Sequence, residues 1–325
     1  MKALRLHSPG DLRLHDEPPP EPAAGEVLLR IAAVGLCGSD RHWFTEGAIG
    51  DAELTRPLVL GHEFVATIES GPRAGERVAV DPAHACGRCA QCLEGLDHLC
   101  PNGRFAGHGI TDGALRSLIA WPERLTYPIP DSVPDAEASL LEPLGVALHA
   151  FDLGSVKHSS VAPLRTAGVF GCGTIGLLLV QLLRLAGAEV YAADPLEHRL
   201  AAAEALGATA EPREVDVAFE VAGTDDAVDV ALQWTRPAGR VVLVGIPDGD
   251  RTSFSASVAR RKGLTLLLSR RMTQHDLPRA IGLVEAGSVS LGGLVTERHG
   301  LDGWADAFAG LTQQRGLKIV IEPNA

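Results

Sequence analysis

Two short polar groups near the amino terminus hold the residue types of a reactive metal site. The first is Cys37-Gly38-Ser39-Asp40-Arg41-His42 and the second is Gly61-His62-Glu63. A thiolate, an imidazole and a carboxylate are the usual ligands of a zinc ion that keeps one position open for water or substrate. Taken singly, a Cys or a His is more often an interior residue than a ligand. The combination carries the argument, because Ser39 and Asp40 add a hydroxyl and a carboxylate beside the first ligand, as chemistry on an alcohol requires.

A second metal signature follows as Cys86-x2-Cys89-x2-Cys92-x7-Cys100. Four thiolates at this spacing can wrap one tetrahedral ion with no open position, which defines a structural zinc site. An iron-sulfur cluster is the rival, since ferredoxins share the Cys-x2-Cys-x2-Cys run, but their last interval is three residues. A disulfide pair is the plainer reading, and a reducing compartment disfavours it. The cluster staples a loop and receives no role in the reaction.

The third signature is Gly171-Cys172-Gly173-Thr174-Ile175-Gly176, placed between an apolar strand (Thr166 to Phe170) and an apolar helix running to about Leu185. Glycines there allow a tight turn and close approach of a pyrophosphate to the helix N-terminus. A further strand, Glu189 to Ala193, ends in Asp194, whose carboxylate can accept from both ribose hydroxyls and repels a 2′-phosphate, favouring NAD over NADP. Asp194 as a mere cap of the next helix is the alternative. The cofactor-binding set is Gly171, Gly173, Thr174, Ile175, Gly176, Asp194 and Arg199. Cys172 reads as a small turn residue, with an acidified, oxidisable thiol as the alternative.

The elements that must position these groups fall into two kinds. The 325 residues exceed what one core usually serves, so two domains are expected. The first 80 residues alternate as short strands and turns, the pattern of a small β-barrel. Leu140 to His149 reads as an amphipathic helix with Glu142 near its start, where an acidic residue is often only a complement to the helix dipole. Beyond Ser155, strands and helices alternate: Asp216 to Val221, Asp225 to Gln233, Arg240 to Val244, Leu264 to Leu268. This predicts a doubly wound parallel sheet in an α/β chain. Between Ala208 and Asp216 there is room for a strand at most, so the usual crossover helix is expected to be missing or reduced. The expected boundaries are 1–150, with the zinc loop at 86–100, then 151–290, then a return of 291–325 to the first domain.

Composition excludes several partners. A formal charge of −12 argues against nucleic acid. The Leu177 to Leu185 stretch is too short for a membrane span and is broken by Gln181 and Arg184. The start, Met1-Lys2-Ala3-Leu4-Arg5, lacks an apolar signal core, so a cytoplasmic protein is expected. Only four lysines occur, Lys2, Lys157, Lys262 and Lys318.

Gly35 to His42, Gly61-His62-Glu63, the four-cysteine loop, Glu142-Pro143-Leu144, Gly171 to Gly176 with Asp194, and Gly316 to Val320 together resemble the zinc-dependent medium-chain dehydrogenases. They do so in order and over nearly the whole chain, and within that family most resemble the polyol (sorbitol-type), alcohol and threonine dehydrogenases. The resemblance implies a GroES-like β-barrel catalytic domain interrupted by a Rossmann domain, with the active site in the cleft between them, two zinc ions per chain, and a homodimer or homotetramer. It implies that Cys37 and His62 are catalytic zinc ligands and that Glu63 ligates zinc or stands just behind it. Glu142, where many alcohol dehydrogenases have cysteine, holds zinc directly or through water. Asp40 orients His62, and Ser39 and His42 relay a proton towards solvent. Arg298 resembles a substrate-side arginine.

The implied mechanism is metal-assisted hydride transfer from an alcohol or polyol to the nicotinamide, with Ser39 taking the hydroxyl proton. Trp43, Phe44, Phe105, His108, Glu142, Arg270 and Arg298 are the expected pocket residues, a mixture that suits a polyol. Trp43 and Phe105 as core residues and Arg270 as a surface cation are the plainer readings. Two alternatives from other classes are a zinc-free quinone reductase and a non-catalytic NAD- and zinc-binding protein.

Overall fold

The computed structural model describes residues 1–155, 165–249 and 251–325. Lys157 and the expected start of the second domain just past Ser155 therefore lie outside the described residues. The chain packs as two units, one of Met1–Glu142, Thr273–Glu285 and Ser290–Ala325, the other of Pro143–Met272 and Ala286–Val289.

In the first unit a seven-stranded sheet is built around Glu26–Gly35, whose alternating Leu29, Ile31, Ala33 side chains are fully buried. This strand pairs antiparallel with Glu63–Ile68, Leu118–Pro122 and Lys318–Glu322. Glu63–Ile68 continues the sheet through Arg77–Val80 to Thr126–Pro128, and Val295–Gly300 adds to Lys318–Glu322 in parallel. A separate three-stranded sheet joins Asp11–Asp16, Lys2–Ser8 and Leu58–Val59. One apolar core, including Leu4, Leu6, Ile31, Trp43, Phe64, Ile119 and Phe308, lies among these strands. This is the barrel-like first domain that the short alternating strands predict.

Gly35-Leu36-Cys37-Gly38 reads in sequence as a loop carrying the first ligand, with no helix predicted after it. The structure places an α-helix at Gly38–Glu46, with Cys37 at its N-cap and Gly47 closing it in the left-handed conformation at φ 70°. Asp40, in the first turn, accepts from the Cys37 backbone N–H at 2.9 Å, satisfying a donor that the helix leaves unpaired. Ser39, His42 and Trp43 are thereby spaced as neighbours along one helix face.

The second unit carries a five-stranded, all-parallel sheet in the order Glu189–Ala193, Thr166–Phe170, Val215–Glu220, Thr235–Leu243, Thr265–Leu268. The apolar helix Thr174–Leu185 starts directly after the first strand's glycine turn and buries Leu177, Leu178, Leu179, Leu182 and Leu183. Between Ala205 and Val215 there is no helix; Thr209 makes only an isolated parallel bridge to Tyr191. The reduced crossover expected from the residue count is thus present, and Glu189–Ala193 stands at the sheet's edge. Among the described residues no helix is long and apolar enough to cross a membrane.

Candidate active site

Cys37, His62 and Glu63 come together in the first unit with ligand atoms all within 4.8 Å of one another. His62 and Glu63 are buried, and Cys37 is half-buried. Two segments bring them there: the start of the Gly38–Glu46 helix and the start of the Glu63–Ile68 strand. Asp40 ties these segments together, because its second oxygen, Oδ1, accepts from the Gly61 backbone N–H at 3.1 Å. The same oxygen lies 3.8 Å from His62 Nδ1, beyond hydrogen-bond reach but close enough for charge attraction. Burial pushes the Asp40 carboxyl pKa up, against the opposing pull of His62 and the two backbone donors.

Ser39 Oγ stands 3.5 Å from His62 Nε2, and His42 is buried with its Nδ1 2.8 Å from Glu46 Oε1. Burial, followed by the charge of Glu63, drives the Cys37 thiol up to about 12. A divalent cation reverses that preference, since a coordinating thiol is deprotonated outright. Thiol, imidazole and carboxylate within one such cluster form the donor set of zinc rather than of magnesium or calcium, which prefer oxygen alone.

Glu142 starts the Leu141–Ser155 helix and is buried, so it is no surface complement of the helix dipole. Burial pushes its carboxyl up to about 8, with the charges of His62, Glu63, Cys37 and Lys318 also acting on it. It therefore feels the same cluster but is outside the 4.8 Å group.

Sequence reasoning missed Lys318. Its ammonium is buried in the ligand cluster, donates to the Leu36 carbonyl at 2.9 Å and forms an ion pair with Glu63 Oε2. Burial works against its charge, yet Glu63, Cys37 and Asp40 hold its pKa above the ordinary lysine value. The available signal was a lysine inside the apolar run Leu317 to Ile321, where a buried cation demands a partner.

The expected pocket residues divide. Trp43 and His108 rings meet edge to face at 5.4 Å, Phe105 lies 5.3 Å from the His62 ring, and Phe105 and His108 are 6.4 Å apart. Trp43 is also a fully buried core residue, as its plainer reading held. Phe44 packs on Phe308 at 4.9 Å. Arg298 turns to Glu137 at 2.9 Å and stands 4.0 Å from Glu322. Arg270, in the second unit, is exposed.

The four loop cysteines gather with all sulfurs within 4.8 Å. Cys89 Sγ is 3.4 Å from Cys92 Sγ and 3.7 Å from Cys100 Sγ. These are far beyond the ~2.05 Å of a disulfide. They approach the sulfur separation of roughly 3.8 Å that Zn–S bonds of about 2.3 Å impose in a tetrahedron. Backbone N–H groups of Arg88 and Cys89 pull the Cys86 thiol down to about 6, ready to ligate.

In the second unit, the glycine turn has the shape its motif predicts. Gly171 adopts φ +101°, and a Cβ there would stand 2.8 Å from the Ala222 nitrogen. Gly173 is the N-cap of the helix that begins with Thr174, Ile175 and Gly176, leaving that terminus for an anion. Asp194 Oδ2 accepts from Cys172 N at 2.7 Å and Oδ1 from Leu196 N at 2.8 Å. Each oxygen retains capacity for a further donor, so the cap and ribose readings coexist. Arg199 lies over the turn, its Nη1 4.0 Å from the position of a Cβ on Gly173. Cys172 is buried, and burial followed by the Asp194 charge pushes its thiol up to about 12, which removes the acidified-thiol alternative.

Comparison with known proteins agrees with this architecture. Residues 23–131 match the alcohol dehydrogenase GroES-like domain, and residues 209–286 match the zinc-binding dehydrogenase domain. Sorbitol dehydrogenase of Bacillus subtilis is 32% identical across 100% of this chain and 98% of its own length. Two solved structures superpose with TM-scores of 0.86 over 99% of each chain. One is the alcohol dehydrogenase rspB of Escherichia coli CFT073 complexed with NADH, 26% identical; the other is a zinc-binding dehydrogenase of Sinorhizobium meliloti 1021 bound to NADP, 30% identical. The chain belongs to the zinc-dependent medium-chain alcohol and polyol dehydrogenases, with a GroES-like domain and a Rossmann domain.

Proposed function

We propose that this enzyme oxidises a polyol or other hydroxylated secondary alcohol to a ketone, passing the hydride to NAD. The observation that carries the reading is the convergence of Cys37, His62 and Glu63 within 4.8 Å, with Ser39 Oγ beside His62. Cys37 and His62 hold the catalytic metal together with Glu63, and Glu142 acts directly or through water. Zinc bound there supplies Lewis-acid polarisation of the substrate hydroxyl. The chain's own groups do the rest. Ser39 accepts the hydroxyl proton and His42 passes it outward, towards Glu46 on its Nδ1 side. Asp40 keeps the two ligand segments in register through its two backbone hydrogen bonds. Phe105, next to His62, and His108 offer the rings against which a hydroxylated chain would lie, with Trp43 backing His108 from the core, and His108 adds a polar contact.

Cys86, Cys89, Cys92 and Cys100 hold a second, structural zinc, making two per chain. The first unit carries the chemistry and the second the cofactor, with Gly171, Gly173, Thr174, Ile175 and Gly176 at the pyrophosphate. Asp194 and Arg199 lie at the adenosine, where the Asp194 charge favours NAD over NADP. Arg298 is a weaker candidate for substrate contact, since its guanidinium is engaged by Glu137. A homodimer or homotetramer is supported by the edge strand Thr265–Leu268, where Leu268 is 80% exposed. Metal content and NAD reduction on a panel of polyols, threonine and simple secondary alcohols test the reading, with Cys37→Ala as control. Two zinc ions, one lost in the variant together with turnover, are expected. One zinc retained in both proteins, with no turnover on any alcohol, would refute it.

A further inference from the structure

The Glu63 carboxylate has two neighbours to satisfy, and the strand order decides how it divides between them. Across the sheet Gly35 is paired with Glu63 on one side and with Val320 on the other. Directly opposed residues point to the same face, and Lys318 lies two positions before Val320, hence also on that face. Gly35 is thus a notch between the two flanking side chains. A Cβ there would collide with Glu63 Oε2 and would stand 3.1 Å from Lys318 Cε. Through this notch the Lys318 ammonium reaches Glu63 Oε2, while the Leu36 carbonyl anchors it at 2.9 Å. Both side chains are 3% exposed, so neither can turn to water instead. Oε2 makes an ion pair without hydrogen-bond geometry and has no other polar partner among the described residues. Among the described residues the cation that Oε2 meets is therefore one fixed two strands away, across the strand that carries Gly35.

We propose that Lys318 is a positioning residue that pins one Glu63 oxygen, leaving the carboxylate a single oxygen to offer the metal. The inference rests on the metal-site reading above. A free carboxylate in this place would be able to ligate through both oxygens and so occupy the position the substrate alcohol needs. A pinned one cannot.

The test uses the cobalt-substituted enzyme, with the spectrum of cobalt-loaded Cys37→Ala subtracted to remove the four-cysteine site. Wild type and Lys318→Arg are expected to show the intense visible bands of a four-coordinate ion. Lys318→Met is expected to show weaker bands of higher coordination, a kcat lowered at least tenfold and an unchanged KM for NAD. Lys318→Gln serves in the same way if the methionine variant does not fold. A wild-type spectrum already showing weak, higher-coordinate bands would overturn the inference with no variant needed. So would a folded Lys318→Met or Lys318→Gln protein with the wild-type spectrum. Equal cobalt counts in wild type and Cys37→Ala would instead overturn the metal site on which the inference stands.

Discussion

Asp40→Asn is nearly isosteric, yet it is expected to be among the more damaging single changes near the candidate metal site. The carboxylate accepts from Cys37 N at 2.9 Å with one oxygen and from Gly61 N at 3.1 Å with the other. An asparagine has one acceptor oxygen and one NH2 donor, so one of these backbone N–H groups must face a donor. Hydrogen bonds to a charged acceptor contribute ~1.5–3 kcal/mol, against ~1 for neutral pairs, and a stranded buried N–H costs ~1–3 kcal/mol. Asparagine escapes part of the desolvation cost that raises the Asp40 pKa, which trims the loss. A destabilisation of about 2–4 kcal/mol remains. Urea unfolding followed by tryptophan fluorescence measures it, with and without chelator. Metal analysis of the same samples supplies an independent reading, since loosening a group that orients ligands typically costs ten- to a hundredfold in metal affinity. An Asp40→Asn protein within about 0.5 kcal/mol of wild type, with its zinc intact, would refute the claim that both oxygens are needed.

Three other outcomes are expected. Cys89→Ser should remove one zinc and lower the thermal midpoint of the first unit while leaving the other zinc in place; metal analysis paired with calorimetry decides this. Gly171→Val places a branched side chain at φ +101° with its Cβ 2.8 Å from Ala222 N, so cofactor titration should show at least tenfold weaker binding with zinc content unchanged. The third concerns acid. The hydrogen-bonded Arg5 guanidinium holds the Glu17 carboxyl below its ordinary range, and Arg5 also meets Asp112 at 3.0 Å. A depressed carboxylate contributes stability that is present above its unfolded pKa of about 4.3 and is lost as pH falls through the lower folded value. Unfolding free energies from urea titration should therefore fall between pH 5 and 3 in wild type by ~1 kcal/mol more than in Arg5→Met, and parallel curves would count against the network.

How much was legible beforehand depended on distance along the chain. Spacings closed within a few residues could be read directly. The four-cysteine loop, the glycine turn with its flanking strand and helix, and the adjacent His62 and Glu63 all owe their geometry to local backbone. The missing crossover helix was equally visible, because nine residues or so cannot hold a helix and two turns. The Gly38–Glu46 helix was harder, since its polar residues mask a short apolar face whose main member is Trp43.

The sequence by itself determined the donor types, the family and the two kinds of domain, because these follow from motifs and periodicities along the chain. Only the tertiary structure decided which side chains meet. Arg298 went to Glu137 through strand and helix placement that no pattern around residue 298 encodes. Glu142 could be a surface residue or a buried one until its helix packed. Lys318 reached Glu63 from the far end of the chain, and did so because Gly35, in the strand between, has no side chain to stand in the way. Strand order and register set such meetings, and they depend on the burial of the whole sheet rather than on any segment of it.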